Sequence, residues 1–172
     1  MVDRSLYSIL VDIKGDNAAV VGRFNGLYKC AEAEDRCVAA KAQRYLWKAW
    51  KNGVGPGVSG GDWLRHEARE GNTDADALAT QCIFTRQSTR VSRLVVLCPP
   101  GQPLLVQAAF DGGLRDGHAA SAWMMKQWDN AAGEWVALKS SATYHAGLSA
   151  AQAETHAASD LAHAVFELSL GS

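Results

Sequence analysis

The spacing of apolar and polar positions divides the chain into short strands and longer helices. Residues 5–13, SLYSILVDI, are short, β-branched and nearly all apolar, the pattern of a strand buried on both faces. A KGDN turn follows, and NAAVVGRF then has helical spacing. Asp16 thus falls at the C-terminal end of a buried strand, where open α/β sheets place their active sites. NGLY (25–28) reads as a turn. The stretch 31–52 predicts a long helix with acid near its start and base near its end, which suits the macrodipole. GVGPGVSGG (53–61) reads as a flexible loop and DWLRH (62–66) as a short strand. Residues 72–84, NTDADALATQCIF, predict a helix with Asn72 as its cap. Residues 85–93 are polar and basic, and RLVVLCPPGQP (93–103) is an apolar scrap closed by prolines. PLLVQAAFDGG (103–113) predicts a second buried strand, ending on Asp111. Two further strands, 118–128 and 134–145, are joined through DNAAGE as a hairpin. The last predicted helix is 149–168, capped by Ser149. There is no internal repeat, and no GxGxxG follows a strand, so a dinucleotide fingerprint is absent.

Composition narrows the class. The 172 residues suit one domain, with 48% hydrophobic and 20% charged residues, an ordinary globular balance. No stretch approaches eighteen continuous apolar residues. The opening residues carry acid and lack a small-residue cleavage site, so the expectation is an intracellular protein, cytoplasmic or nuclear, and not a secreted one. Cys30, Cys37, Cys82 and Cys98 show no CxxC pairing and are expected to be buried free thiols. A net charge of −1 gives no global signal for nucleic acid. Residues 1–95, however, hold 14 Lys/Arg against 11 Asp/Glu, and residues 96–172 hold 3 against 7.

Candidate chemistry begins with carboxylates. Asp16 and Asp111 each end an apolar strand, and Asp76 lies in the first turns of a helix. Glu154 sits in an alanine-rich helix, on the side that should face a sheet. Such an acid is costly unless it is paired or binds metal. Singly, each has an ordinary role as a turn cap, a dipole partner or an exposed helix residue. Converging carboxylates without matching bases repel one another. A pair of Mg²⁺ ions resolves that repulsion and serves phosphoryl transfer. On the helix 31–52, Lys41, Arg44, Lys48 and Lys51 form one stripe, about 15 Å long by helical rise, that can follow a nucleic-acid backbone or be a plain solvated face. Trp47 and Trp50 are expected in the core, and Trp123, Trp128 and Trp135 in cross-strand packing.

The segments together resemble a known family. In HEAREGNTDADALA, His66 is followed six residues later by Asn72 and ten later by Asp76, then by a small-residue–Leu–Ala run. This resembles the last strand–loop–helix segment of the ribonuclease H family, in particular its plant-type and retroelement-like branch. Asp74 falls on no family catalytic position and reads as a dipole partner. Residues 8–30 resemble the segment that precedes it and carry over Asp16. VQAAFDGG (106–113) resembles the opening strand and carries over Asp111. Residues 149–165 resemble the first helix and carry over Glu154. Here 1–84 matches the family's C-terminal half and 104–172 its N-terminal half, so the chain resembles a circularly permuted ribonuclease H domain joined through 85–103. Nineteen joining residues span up to about 60 Å at roughly 3.3 Å each.

The resemblance implies a single α/β, ribonuclease H-like domain over 1–172, with a mixed five-stranded sheet and helices on both faces. It implies Mg²⁺-dependent endonucleolytic hydrolysis of RNA in an RNA–DNA hybrid, leaving 3′-hydroxyl and 5′-phosphate. Asp111 would bridge two Mg²⁺ ions (Mn²⁺ can substitute), Glu154 and Asp16 would hold one, and Asp76 the other. His66 would assist proton movement or product release. Asn17 and the basic stripe would contact nucleic acid. The expected form is a monomer, with a swapped dimer as the alternative, and no membrane partner. Two departures stand out. The loop DGGLRDGH is short, and Ala150 and Ala151 replace asparagines that in the family touch the minor groove. A non-catalytic nucleic-acid-binding module and a related DNA nuclease therefore stay open.

Overall fold

In a computed structural model of the protein, the described residues are 7–27, 29–30, 32–57, 62–93, 95 and 98–171. The elements run β1 (Ile9–Gly15), α1 (Ala18–Phe24), α2 (Ala33–Lys51), β2 (Val54–Pro56), β3 (Leu64–His66), a single 3₁₀ turn (Arg69–Gly71), α3 (Thr73–Thr85), β4 (Thr89–Ser92), β5 (Leu104–Arg115), β6 (His118–Asp129), β7 (Glu134–Ala146) and α4 (Ala150–Leu170). The chain is α/β, with one mixed, open sheet in the order β2-β1-β5-β6-β7-β4 and β3 also paired with β1.

The sheet has seven strands where five were expected. One addition is β2, inside the predicted 53–61 loop. It lies parallel to Ile9–Val11, while β3 lies parallel to Ile13–Gly15, so the two share one edge of β1. Val54 is fully buried there, and Pro56 is tolerated because the strand is an edge. The other addition is β4, inside the joining segment, antiparallel to Lys139–Ala142 of β7. All four of its residues are exposed, so backbone pairing forms it and no hydrophobic pattern announces it. For RLVVLC (93–98) the sequence suggests an added edge strand or a strap over one helix. Residues 94, 96 and 97 of that stretch lie outside the described residues, as do 5 and 6 of the first predicted strand, 28 of the predicted turn, 31 of the predicted long helix and 58–61 of the loop.

The core lies on two faces. Ile9, Val11 and Ile13 of β1, with Val106, Ala108 and Phe110 of β5, pack beneath α1, α2 and α4. On the opposite face α3 covers a small alanine-lined cluster of Ala79, Cys82, Ala120, Ala122 and Ala142. Small residues let α3 approach the sheet closely. Ser149 caps α4 in a reciprocal capping box with Gln152. The β5–β6 turn is Asp116-Gly117, both at positive φ (50° and 76°), which suits a two-residue hairpin. The Trp128 and Trp135 rings meet across β6 and β7 at 5.4 Å.

β5 does not end at Asp111. It runs four residues further, so Asp111 lies inside a strand. Gly112, inside that strand, admits a close approach. A Cβ on Gly112 would lie 2.1 Å from the backbone nitrogen of Glu154, because the first turns of α4 cross the strand there. On Gly113 it would meet only the mobile end of Ile83, at 2.9 Å. Gly112→Ala is therefore expected to lower Tm by roughly 6–12 °C, from an overpacking cost of about 3 kcal/mol. Gly113→Ala should cost no more than a few degrees. Thermal melts of the two variants, followed by circular dichroism, check this difference.

Candidate metal centre

β1 and β5 pair in parallel from Ile9–Leu104 to Gly15–Phe110. Asp16 and Asp111 are the next residue on each strand. At that point β1 stops and β5 continues against β6, leaving an opening beside Asp111. Glu154 enters it from α4, whose backbone is seated over Gly112. Asp16, Asp111 and Glu154 each offer a carboxylate oxygen, and these atoms lie within 4.8 Å of one another. Asp111 and Glu154 are buried, at 7% and 5% exposure.

Like charges at such distances in a partly dry site disfavour ionisation. Burial, first, and then the Asp16 and Asp76 charges push the Asp111 carboxyl up to about 6. Burial pushes Glu154 up to about 8, with Asp16 and Asp111 adding to it, against a hydrogen bond from Asn17. That bond runs from Asn17 Nδ2 to Glu154 Oε2 at 3.1 Å. Glu154 Oε1 is buried with no hydrogen-bond partner. An all-oxygen donor set with one orphaned oxygen fits a hard divalent cation such as Mg²⁺. Asp16, Asp111 and Glu154 can hold such an ion.

The other predicted residues fall as follows. Asp76 stands close enough to Asp111 to raise its pKa, but its Oδ1 pairs with Arg69 Nη2 at 3.4 Å, and it lies outside the group of three. His66 ends β3, exposed, with Nε2 3.1 Å from the Asp16 carbonyl oxygen. Asn17 caps α1, accepting from Ala19 N and Val20 N, so both ends of its amide are engaged. Asn72 occupies the cap position of α3 but makes no side-chain cap bond. It turns inward instead and donates to the Phe110 carbonyl at 2.9 Å. The start of α3 is thereby fixed beside Asp111. Asp74 pairs with Lys126 of β6.

The cluster opens into a cleft of about 780 Å³ lined by Asp16, Asn17, His66, Asp76, Asp111 and Glu154, and also by Arg69, Phe84, Leu114 and Arg115. Lys41, Arg44, Lys48 and Lys51 do not line it. They lie exposed on α2, where Lys48 sits over the Phe166 ring and Lys51 over Trp47. Trp47 and Trp50 are half exposed, at 53% and 48%, and not in the core. The buried face of α2 is Ala39, Ala42, Leu46 and Ala49, and each tryptophan is one residue, hence about 100°, past a core position. The cysteines are free, but Cys37 is exposed. Arg69, Phe84 and Arg115 were missed from sequence. Arg69 lies inside the His66–Asn72 interval and was passed over as spacer, while nothing local joins Phe84 to Arg115.

No protein-family model and no curated protein matches the chain. Among solved structures, it is similar to the PelC dodecamer from Paraburkholderia phytofirmans, at 11% identity and a TM-score of 0.30, over 95% of this chain and 86% of that one. A single-residue variant of that PelC dodecamer gives 10% identity and a TM-score of 0.29, over 95% and 91%. Likenesses at these TM-scores carry no argument about fold or function. No helix among the described residues is long and apolar enough to cross a membrane.

The raised carboxyls set a pH dependence. Between the ordinary carboxylate range and their folded values of about 6 and about 8, the folded chain holds protons that the unfolded chain has lost. Stability contributed here is present at low pH and lost as pH rises through those values. In EDTA, Tm is expected to be lower at about pH 8 than at about pH 5, and Glu154→Gln should flatten the difference. Mg²⁺ should raise Tm more at the higher pH, because binding requires the deprotonated groups. Scanning calorimetry at the two pH values, with and without Mg²⁺, checks all three.

Proposed function

We propose that the chain is a circularly permuted ribonuclease H-like endonuclease that hydrolyses the RNA strand of RNA–DNA hybrids with two Mg²⁺ ions. The observation that carries this reading is the convergence of Asp16, Asp111 and Glu154, from two parts of one chain far apart in sequence, with Asp76 and His66 on the same cleft. The strand order supports it. An antiparallel β5-β6-β7 meander stands beside parallel β1, with β3 outside, as the resemblance implies.

Divalent cations at such a site supply Lewis acidity that polarises a phosphoryl oxygen and lowers the pKa of a water. Asp16, Asp111 and Glu154 would hold such an ion, with Asp76 on the same cleft to assist. Asn17 orients Glu154 through its hydrogen bond to Oε2, leaving Oε1 without a hydrogen-bond partner and available to a cation. Arg69 neutralises Asp76 in the free protein and is placed to meet a substrate phosphate instead. In the tautomer that donates from Nε2 to the Asp16 carbonyl, His66 keeps Nδ1 for moving a proton toward solvent at the rim.

Ala150 and Ala151 are exposed and offer no side-chain hydrogen bond. Hybrid selectivity would therefore rest on backbone shape and 2′-hydroxyl contacts from other groups. A related DNA nuclease is the second reading that this pair favours.

The test is cleavage of labelled hybrid, double-stranded RNA and DNA duplex, with Mg²⁺ or EDTA. Hybrid cleavage is expected, abolished by EDTA and by Asp111→Asn, and weakening as salt rises. His66→Ala should lower kcat by roughly 100-fold. Cleavage of DNA alone would replace the hybrid reading with the DNA nuclease. No cleavage by folded protein, with no calorimetric Mg²⁺ binding, would leave a non-catalytic binding module.

A further inference from the structure

The cleft continues beyond the carboxylates along two elements that leave together. From Asp76 to Phe84, α3 advances about 12 Å at 1.5 Å per residue. From Asp111 to Arg115, β5 advances about 13 Å at roughly 3.3 Å per residue. The two paths end in contact, with the Arg115 guanidinium 5.0 Å from the Phe84 ring centroid. Both residues line the same cleft as the carboxylates, with Leu114 and Ile83 between.

Folding gives no reason for this pair. The buried face of α3 is Ala75, Ala79 and Cys82. Phe84 remains 65% exposed even with the guanidinium on it, and Leu114 is 48% exposed. An exposed ring gives a flat apolar face on which a sugar can pack, whatever base it carries. Arg115 adds a planar fork of donors matched to phosphate, and it stacks on aromatic faces. The pairing of a flat apolar face with a cation suits a sugar–phosphate unit, the part of a paired strand that faces a protein.

We propose that Phe84 and Arg115 form a subsite for a nucleotide of the substrate strand, three to four residues from the scissile phosphate. This rests on the reading of the carboxylates as the cutting centre. The distance follows from 12–13 Å divided by a rise of about 3.4 Å per nucleotide. The sugar of that nucleotide packs on Phe84 and its phosphate is held by Arg115.

The experiment measures KM on hybrids shortened stepwise from either end of a fixed cut, for wild type, Phe84→Ala, Arg115→Ala and Arg115→Lys, all checked as folded by circular dichroism. On long hybrids the first two variants should raise KM by about 5- to 100-fold, and Lys should not restore it, since it has no planar fork. Once fewer than three base pairs remain on one side of the cut, variants and wild type should share one KM, and that side names the direction of the strand. Equal KM for all proteins at every length overturns the subsite. Anisotropy of a labelled long hybrid in EDTA separates this proposal from the nuclease reading. Weaker binding by Phe84→Ala and Arg115→Ala, with no cleavage by wild type, sustains the subsite and sinks the nuclease. Unchanged binding with wild-type cleavage intact does the reverse. Absence of both hybrid binding and hybrid cleavage by wild type overturns both.

Discussion

Three carboxylates are held together where one strand stops and its neighbour continues, and much of the structure is arranged around that repulsion. Two are buried, and both are held above the usual carboxylate range. No local feature of the chain forces them together. Asp16 arrives because β1 pairs with β5 in a register ending at Gly15 and Phe110. Glu154 arrives because α4 crosses β5 at a residue without a Cβ. The electrostatic cost is carried by the burial of apolar side chains on the two faces of the sheet, which is indifferent to what happens at its edge.

The polar groups around the cluster hold its members without cancelling their charge. Asn17 spends one end of its amide on the α1 cap and the other on Glu154. Asn72 ties α3 to the carbonyl just before Asp111. The Asp12–Arg65 and Lys14–Glu67 pairs, at 3.0 and 3.7 Å, tie the segment carrying His66 to β1. These groups are amides, or ions paired elsewhere. A cationic side chain seated among the three carboxylates would make the site more stable and less able to take a metal. The arrangement is preorganised at some expense to stability.

What was legible in the sequence follows from which signals are local. Ser149 announced α4, and the apolar runs announced β1 and β5, because capping chemistry and burial on both faces mark few residues each. Asp16 and Asp111 were singled out by positions at strand ends and Glu154 by its side of an alanine-rich helix, the resemblance joined them with Asp76 and His66, and the fold brings all five to one cleft. The misses are equally physical. Gly112 gives no local sign of the close approach it permits, since the helix that needs the missing Cβ lies forty residues on. β4 has no apolar face, so only backbone pairing defines it. Trp47 and Trp50 looked like core because tryptophan usually is, but the buried stripe of α2 belongs to alanines and one leucine. The Phe84–Arg115 contact exists only once α3 and β5 lie side by side.

The order of segments along the chain matters less to the site than their register. Asn17 and Glu154, in contact, are 137 residues apart, so the cluster cannot form before the sheet does. Cutting and rejoining such a chain changes which loops must close, and closure entropy grows only logarithmically with loop length. The join does need a route that avoids the cleft. Here it leaves α3 through Arg86 in the left-handed region and adds β4 to the sheet edge beyond β7. That edge is the far side of the meander from β1, so the connecting chain adds a strand without approaching the carboxylates. Arg90 of β4 then pairs with Glu167 near the end of α4 at 3.1 Å, fastening the join to the helix that carries Glu154, at the end remote from it. The connection from α3 to β5 thus adds β4 and its contacts to the scaffold while leaving the acidic opening between β1 and β5 as the register alone dictates.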